Sequence, residues 1–158
     1  MRRIPGRGRP FNQGLTKMRF LRFAVVFVTA ICIAVPAYAA TVVAHVDLSS
    51  QRMTVKVNGK TQHRWAVSTG RSGYRTPTGS YRPQRLEPDW YSRKYDMAPM
   101  PHSIFFRGGY AIHGTNAVGR LGRPASHGCV RLSRGNAARL FSLVRKYGMR
   151  NTRVVITR

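Results

Sequence analysis

From residue 42 onward, apolar and polar positions alternate. Val42, Ala44, Val46 and Leu48 share one phase, and Met53, Val55 and Val57 repeat the period of two, the spacing of half-buried strands. Asn58-Gly59 follows directly, a dipeptide suited to a two-residue hairpin turn, and His63, Trp65 and Val67 continue on the return strand. The segment GRSGYRTPTGSYRP, Gly70 to Pro83, reads as loop closing on a strand near Tyr81. From Glu87 to Pro101 the pattern is irregular, with tryptophan-tyrosine and methionine-proline clusters that admit either a flap over a groove or an apolar plug on a sheet edge. Ile104-Phe105-Phe106 and Tyr110-Ala111-Ile112 predict two short strands across Arg107-Gly108-Gly109, and Thr152–Thr157 a closing strand. The period changes once. Ala137, Leu140, Phe141 and Val144 follow helical spacing behind Ser133, a good N-cap, with Arg145 and Lys146 in the last turn and Gly148 as the stop. The pattern predicts one compact, β-rich domain over residues 40–158 with a helix packed on it, free of internal repeats.

The first 39 residues follow a different logic. Phe20–Val35 is apolar apart from Arg22, basic residues precede it, and Pro36-Ala37-Tyr38-Ala39 ends in a small-x-small site. This predicts a signal peptide over 1–39. The uninterrupted stretch Phe23–Val35 is 13 residues, short of the roughly 20 that a spanning helix needs. Met18 opens a complete leader by itself and is an alternative start, while Arg2-Arg3 lies too far from the apolar run for a twin-arginine signal. Export sends the chain to the periplasm or cell wall, with membrane contact only in transit.

Export also changes the cysteine count. Cys32 leaves with the leader, so the mature chain carries Cys129 alone. A single thiol in an oxidising compartment forms no internal disulfide and is a liability unless it has a use. Charge narrows the partners. The chain has 28 Lys+Arg against 4 Asp+Glu; removing the seven basic residues of the leader leaves a mature net charge of +17. Such a surface seeks polyanions. No nucleic-acid module or basic-aromatic repeat is present, and export leads away from nucleic acid, so an anionic cell-envelope polymer is the expected partner.

Three groups capable of chemistry fall close together: His113 in AIHGTN, and His127 and Cys129 in ASHGCVR. A thiol with pKa near 8.5 is mostly protonated at neutral pH, and an imidazole that takes its proton makes a competent nucleophile. His113 ends a predicted strand that can fix its ring, the Gly114 carbonyl is placed to hold the second imidazole nitrogen, and the Gly128 and Cys129 N–H groups are candidates for an oxyanion hole. Two other arrangements use the same residues. His113, His127 and Cys129 are zinc ligands by type, although no acid lies nearby for general-base work. A basic module that only binds wall polymer would bury Cys129 as an inert thiol.

The run IHGTNAVGRLGRPASHGCVRLS resembles the signature of the L,D-transpeptidase catalytic domain, the YkuD-type family of cell-wall enzymes. VSTG at 67–70, TPTG at 76–79 and PMPHSIFF at 99–106 match in order, so the resemblance covers about residues 42–157. It implies a mainly β, sandwich-like fold with one main helix after the catalytic cysteine, and Cys129 at the end of a strand. It implies Cys129 as nucleophile, His113 as proton donor and acceptor, and His127 shaping the pocket. Ser126 would hold the loop and contribute with Arg131 to substrate binding, Arg131 through a stem carboxylate. The implied partner is the peptidoglycan peptide stem, without metal or organic cofactor. The implied reaction attacks the third-residue carbonyl of a tetrapeptide stem, releases D-alanine and passes the acyl group to an amine of another stem. Water or a protein amine as acceptor gives an L,D-carboxypeptidase or an anchoring enzyme on the same scaffold.

Overall fold

A computed structural model of the protein describes residues 41–158. The leader expected over 1–39, the alternative start at Met18 and Cys32 lie outside the described residues. Nine strands follow in order: β1 (Val42–Asp47), β2 (Arg52–Val57), β3 (Lys60–Ala66), β4 (Gly79–Tyr81), β5 (Arg85–Ser92), β6 (Ala98–Arg107), β7 (Tyr110–Thr115), β8 (Val130–Ser133) and β9 (Thr152–Thr157). Among the described residues the one α-helix, α1 (Arg134–Tyr147), leaves β8 without a linker. The strands form two sheets, β3-β2-β1-β9-β4 and β5-β6-β7-β8.

The period-two reading holds where it was strongest. In β1 and β2, Val42, Ala44, Val46, Met53, Val55 and Val57 are all buried, and they join residues of β7, β8, β9 and α1 in one core. The Asn58-Gly59 turn has φ of 49° and 77°, left-handed at both positions as a tight two-residue hairpin requires. β9 enters the first sheet parallel to β1. Both ends of the described domain are thereby tied into one sheet. The expected strand near Tyr81 is β4, paired antiparallel to β9.

Helix α1 begins and ends as its sequence predicts. Asn136 N–H donates to Ser133 Oγ at 3.3 Å, Gly148 closes the helix at φ 88°, and Ala137, Leu140, Phe141 and Val144 are its buried face.

The structure departs from the expectation between Glu87 and Pro101. This segment is not irregular: β5 and β6 form a long antiparallel hairpin from Arg85↔Phe105 to Ser92↔Ala98. Its prolines hid it. β5 is an edge strand, and β6 pairs with β7 only from Ile104 onward. Pro88, Pro99 and Pro101 therefore sit where a strand has a partner on one side only, and a missing N–H breaks no ladder. The hairpin bends at Pro88 and His102, which fall between the paired positions Glu87↔Ser103 and Asp89↔Pro101, with His102 at φ 55°.

Leu140 is fully buried in the core beneath both sheets. Leu140→Ala should lower unfolding stability by about 2–5 kcal/mol, read as a lower urea midpoint with an unchanged slope.

Candidate active site

The site grows from one pairing. β7 and β8 run parallel with Ile112↔Val130 and His113↔Arg131 in register. Paired residues of a ladder project to the same face and their neighbours to the other. Ile112, Val130 and Leu132 go into the core. His113 and Arg131 take the opposite face, and Cys129, in the bend just before β8, joins them. All three line a cleft of about 810 Å³. Cys129 thus stands at the lead-in to β8, directly before the strand. Behind it lies a small apolar cluster of Met100, Phe105 and Ala111, with Trp90 packed against it.

His113 is only 6% exposed. Its Nδ1 lies 2.8 Å from the Gly114 carbonyl. A carbonyl only accepts, so Nδ1 carries the proton of the neutral ring and Nε2 keeps its lone pair. Burial pushes the imidazole down to about 4, with Arg131 adding to the effect against the Gly114 hydrogen bond. Burial raises the Cys129 thiol, opposed by a hydrogen bond from Ala111 and by Arg131. Its Sγ lies 3.8 Å from the Gly109 carbonyl. Desolvation penalises the charged form of each group. Both shifts favour the uncharged forms, thiol and imidazole, in the unliganded site.

The loop bearing Cys129 is knotted by hydroxyls. Ser126 is fully buried, donates to the Cys129 carbonyl at 2.6 Å and accepts from Gly128 N–H at 3.0 Å. Ser126 is engaged within the loop, which it was expected to hold, and is not among the residues that line the cleft. The Gly128 N–H is already donated to Ser126, which removes it as an oxyanion donor and leaves the Cys129 N–H as the candidate. Gly128 itself is needed for space, since at φ 112° a Cβ would stand 2.7 Å from the Tyr110 ring. Thr76 of TPTG completes the knot: its Oγ1 donates to the Gly128 carbonyl at 2.8 Å and accepts from Gly70 N–H at 2.9 Å. The sequence marked TPTG as a motif without assigning this bridge.

His127 lines the cleft at its rim. It stacks on Tyr95 at 4.4 Å and 11°, and meets Tyr74 edge-on at 4.6 Å. Tyr95 lies in the tip of the β5–β6 hairpin and lines the cleft together with Trp90 and Met100, which also pack in the small apolar cluster. Neither tyrosine was signalled by spacing. Desolvation and then Arg71, Arg131 and Lys94 lower the His127 pKa. Arg131, half-buried in the cleft, has one hydrogen bond, to the Ala125 carbonyl at 3.3 Å, and its neighbouring charges include Arg120 and Arg71. Among the described residues the one ion pair is Arg85–Glu87 at 3.0 Å, so Arg131 has no carboxylate partner there. His113, His127 and Cys129 do not group as metal ligands.

The family profile of the L,D-transpeptidase catalytic domain matches residues 41–156. The chain belongs to this family. Among solved structures, an L,D-transpeptidase from Xylanimonas cellulosilytica is similar at 28% identity and TM-score 0.64, covering 77% of this chain and 63% of that one. One from Stackebrandtia nassauensis gives 27% and 0.65, with 75% and 56% covered. One from Mycobacterium smegmatis gives 24% and 0.66, with 75% and 59% covered, a likeness of fold. The L,D-transpeptidase domain here thus spans about three-fifths of the length of those structures. No curated protein matches the sequence. The mainly β fold with its helix after the strands is that of these relatives.

The raised Cys129 pKa and the lowered His113 pKa set a pH test. Alkylation of the folded domain by iodoacetamide should climb steadily with pH from 6 to 9, without a plateau at neutrality. A plateau between about 5 and 8 would mean that the ion pair pre-exists.

Proposed function

We propose that the protein is an exported peptidoglycan L,D-transpeptidase, with Cys129 as nucleophile and His113 as proton carrier. The observation that carries this reading is the shared cleft face: the free thiol and a buried imidazole of set tautomer, its basic Nε2 unspent. Cys129 Sγ attacks the third-residue carbonyl of a tetrapeptide stem as its proton passes to His113 Nε2. The tetrahedral oxyanion is received by the Cys129 N–H. Collapse expels the terminal D-alanine, whose nitrogen takes the proton from His113, and leaves a thioester. The amine of a neighbouring stem then attacks the thioester, gives its proton to His113, and displaces the sulfur, which is reprotonated. The route consumes no cofactor and joins two third-position residues. Burial that favours the neutral forms of both groups suits it, because proton transfer is then coupled to attack once an acyl donor fills the cleft.

Arg131 supports a donor carrying a carboxylate. A half-buried guanidinium with a single hydrogen bond and cationic neighbours is complementary to an anion in the cleft. The net charge of +17 on residues 40–158 supports retention on an anionic envelope polymer. The leader read over 1–39 would deliver the domain there.

Incubation with disaccharide-tetrapeptide, followed by mass spectrometry, tests the reaction. The expected products are a thioester on Cys129, released D-alanine and a 3-3 cross-linked dimer. Cys129→Ser should remove the adduct while folding normally, and His113→Ala should slow acylation by about 100-fold or more. His127→Ala should cost less; the reverse order would invalidate the roles given to the two histidines.

Salt should separate the two parts of the proposal. Exposed charges are screened over about 8 Å at physiological ionic strength, whereas reacting groups are in contact. Co-sedimentation with sacculi should therefore fall steeply with salt while the acylation rate with a small uncharged donor changes little.

A further inference from the structure

A second concavity, of about 450 Å³, is walled by the Gly70–Thr78 loop, the β1–β2 turn, Pro124 and Arg158. None of its arginines lines the cleft that holds Cys129, and its lining differs in kind from the apolar floor beside Cys129. Arg71, Arg75 and Arg158 supply three guanidinium groups, and Ser72 and Thr78 supply hydroxyls. No acid lines it. Asp47, the acid closest in sequence to the β1–β2 wall, has one carboxylate oxygen on Ser49 and the other on Ser50, hydrogen bonds that keep its pKa well below the usual carboxylate range. It is therefore committed within its own turn.

Two features give the groove more than charge. Arg71 stands 4.8 Å over the Tyr74 ring, a cation–π contact that holds the guanidinium in place. Tyr74, 38% exposed, lines the groove and touches His127 on the cleft rim. The Tyr74–His127 pair thus joins the two concavities, and a chain lying in one continues toward the other. Thr76 also lines the groove while its Oγ1 braces the Gly128 carbonyl. Three guanidinium groups, one of them anchored, select an anion, while hydroxyls and an aromatic wall select a polyhydroxylated ligand over a bare phosphate.

We propose that this groove is a second binding site, for an acidic oligosaccharide. That its natural occupant is the glycan portion of an envelope polymer rests on the function proposed above; the site itself does not.

The test is calorimetric titration of the intact protein with three probes: a hexamer of galacturonic acid, a neutral hexamer of N-acetylglucosamine, and inorganic polyphosphate. Two double variants of equal net charge are compared, Arg75→Ser/Arg158→Ser in the groove and Arg139→Ser/Arg145→Ser on exposed positions of α1. The uronate should bind wild type more tightly than the neutral hexamer, and the groove variant should weaken uronate binding about tenfold or more. The helix variant should weaken it less than about twofold. Acylation by a small donor should be unchanged in the groove variant. Equal weakening by both variants would reduce the effect to overall charge and overturn the site. Polyphosphate binding as tight as uronate, and equally dependent on the groove, would overturn its saccharide selectivity. Absence of acylation with uronate binding intact would count against the transpeptidase reading alone.

Discussion

The parallel pairing of β7 with β8 is the constraint on which the rest of the site depends. It brings two segments that are 18 residues apart into register, Ile112 beside Val130 and His113 beside Arg131. Because Ile112, Val130 and Leu132 are fully buried, a slip of one residue would drive a guanidinium and an imidazole into the core. The apolar set on one face thus holds the polar set on the other. α1 follows β8 immediately and seals the core side with Leu140, Phe141 and Val144, so this short strand is held from two directions.

Held in that way, the site can keep its reactive groups uncharged. The Gly114 carbonyl spends the Nδ1 proton of His113, and burial disfavours both the imidazolium and the thiolate. A pair that ionises only when substrate polarises it is guarded against stray electrophiles and oxidants. The loop around Cys129 supports this by rigidity: Ser126 and Thr76 satisfy the Gly128 and Cys129 carbonyls and the Gly128 N–H within the protein. Gly128 has no room for a side chain. The backbone next to the sulfur is accordingly fixed before any ligand arrives.

Charge is distributed with equal economy. With four acids in the chain, one of them paired to Arg85 and another wrapped by serines, most arginines have no protein partner to neutralise them. Several are held by aromatic rings instead, as Arg71 is over Tyr74 and Arg107 over Tyr81. That arrangement orders guanidinium groups without cancelling their field, leaving them available to anions from outside.

Much of this was legible in the sequence wherever a local rule applies. Period-two alternation marked β1 and β2, Asn58-Gly59 marked the hairpin turn, and Ser133 and Gly148 marked the ends of α1. Each of these depends on residues close in sequence whose conformational preferences act locally. The motif around Cys129, with the upstream IHG and TPTG, also announced the family before any coordinates. What only the tertiary structure decided involves partners far apart in the chain. The β5–β6 hairpin was hidden by prolines that are harmless only because that strand pair stands at a sheet edge. Which backbone N–H and carbonyl groups remain unspent in the SHGC loop depended on Ser126 and Thr76 finding their partners there. The stacking of His127 between Tyr74 and Tyr95, and the protonation of His113 and Cys129, depended on burial created by segments that meet only in the folded protein. Spacing conveys periodicity and motif, whereas desolvation and long-range hydrogen bonding exist only once the chain has closed on itself.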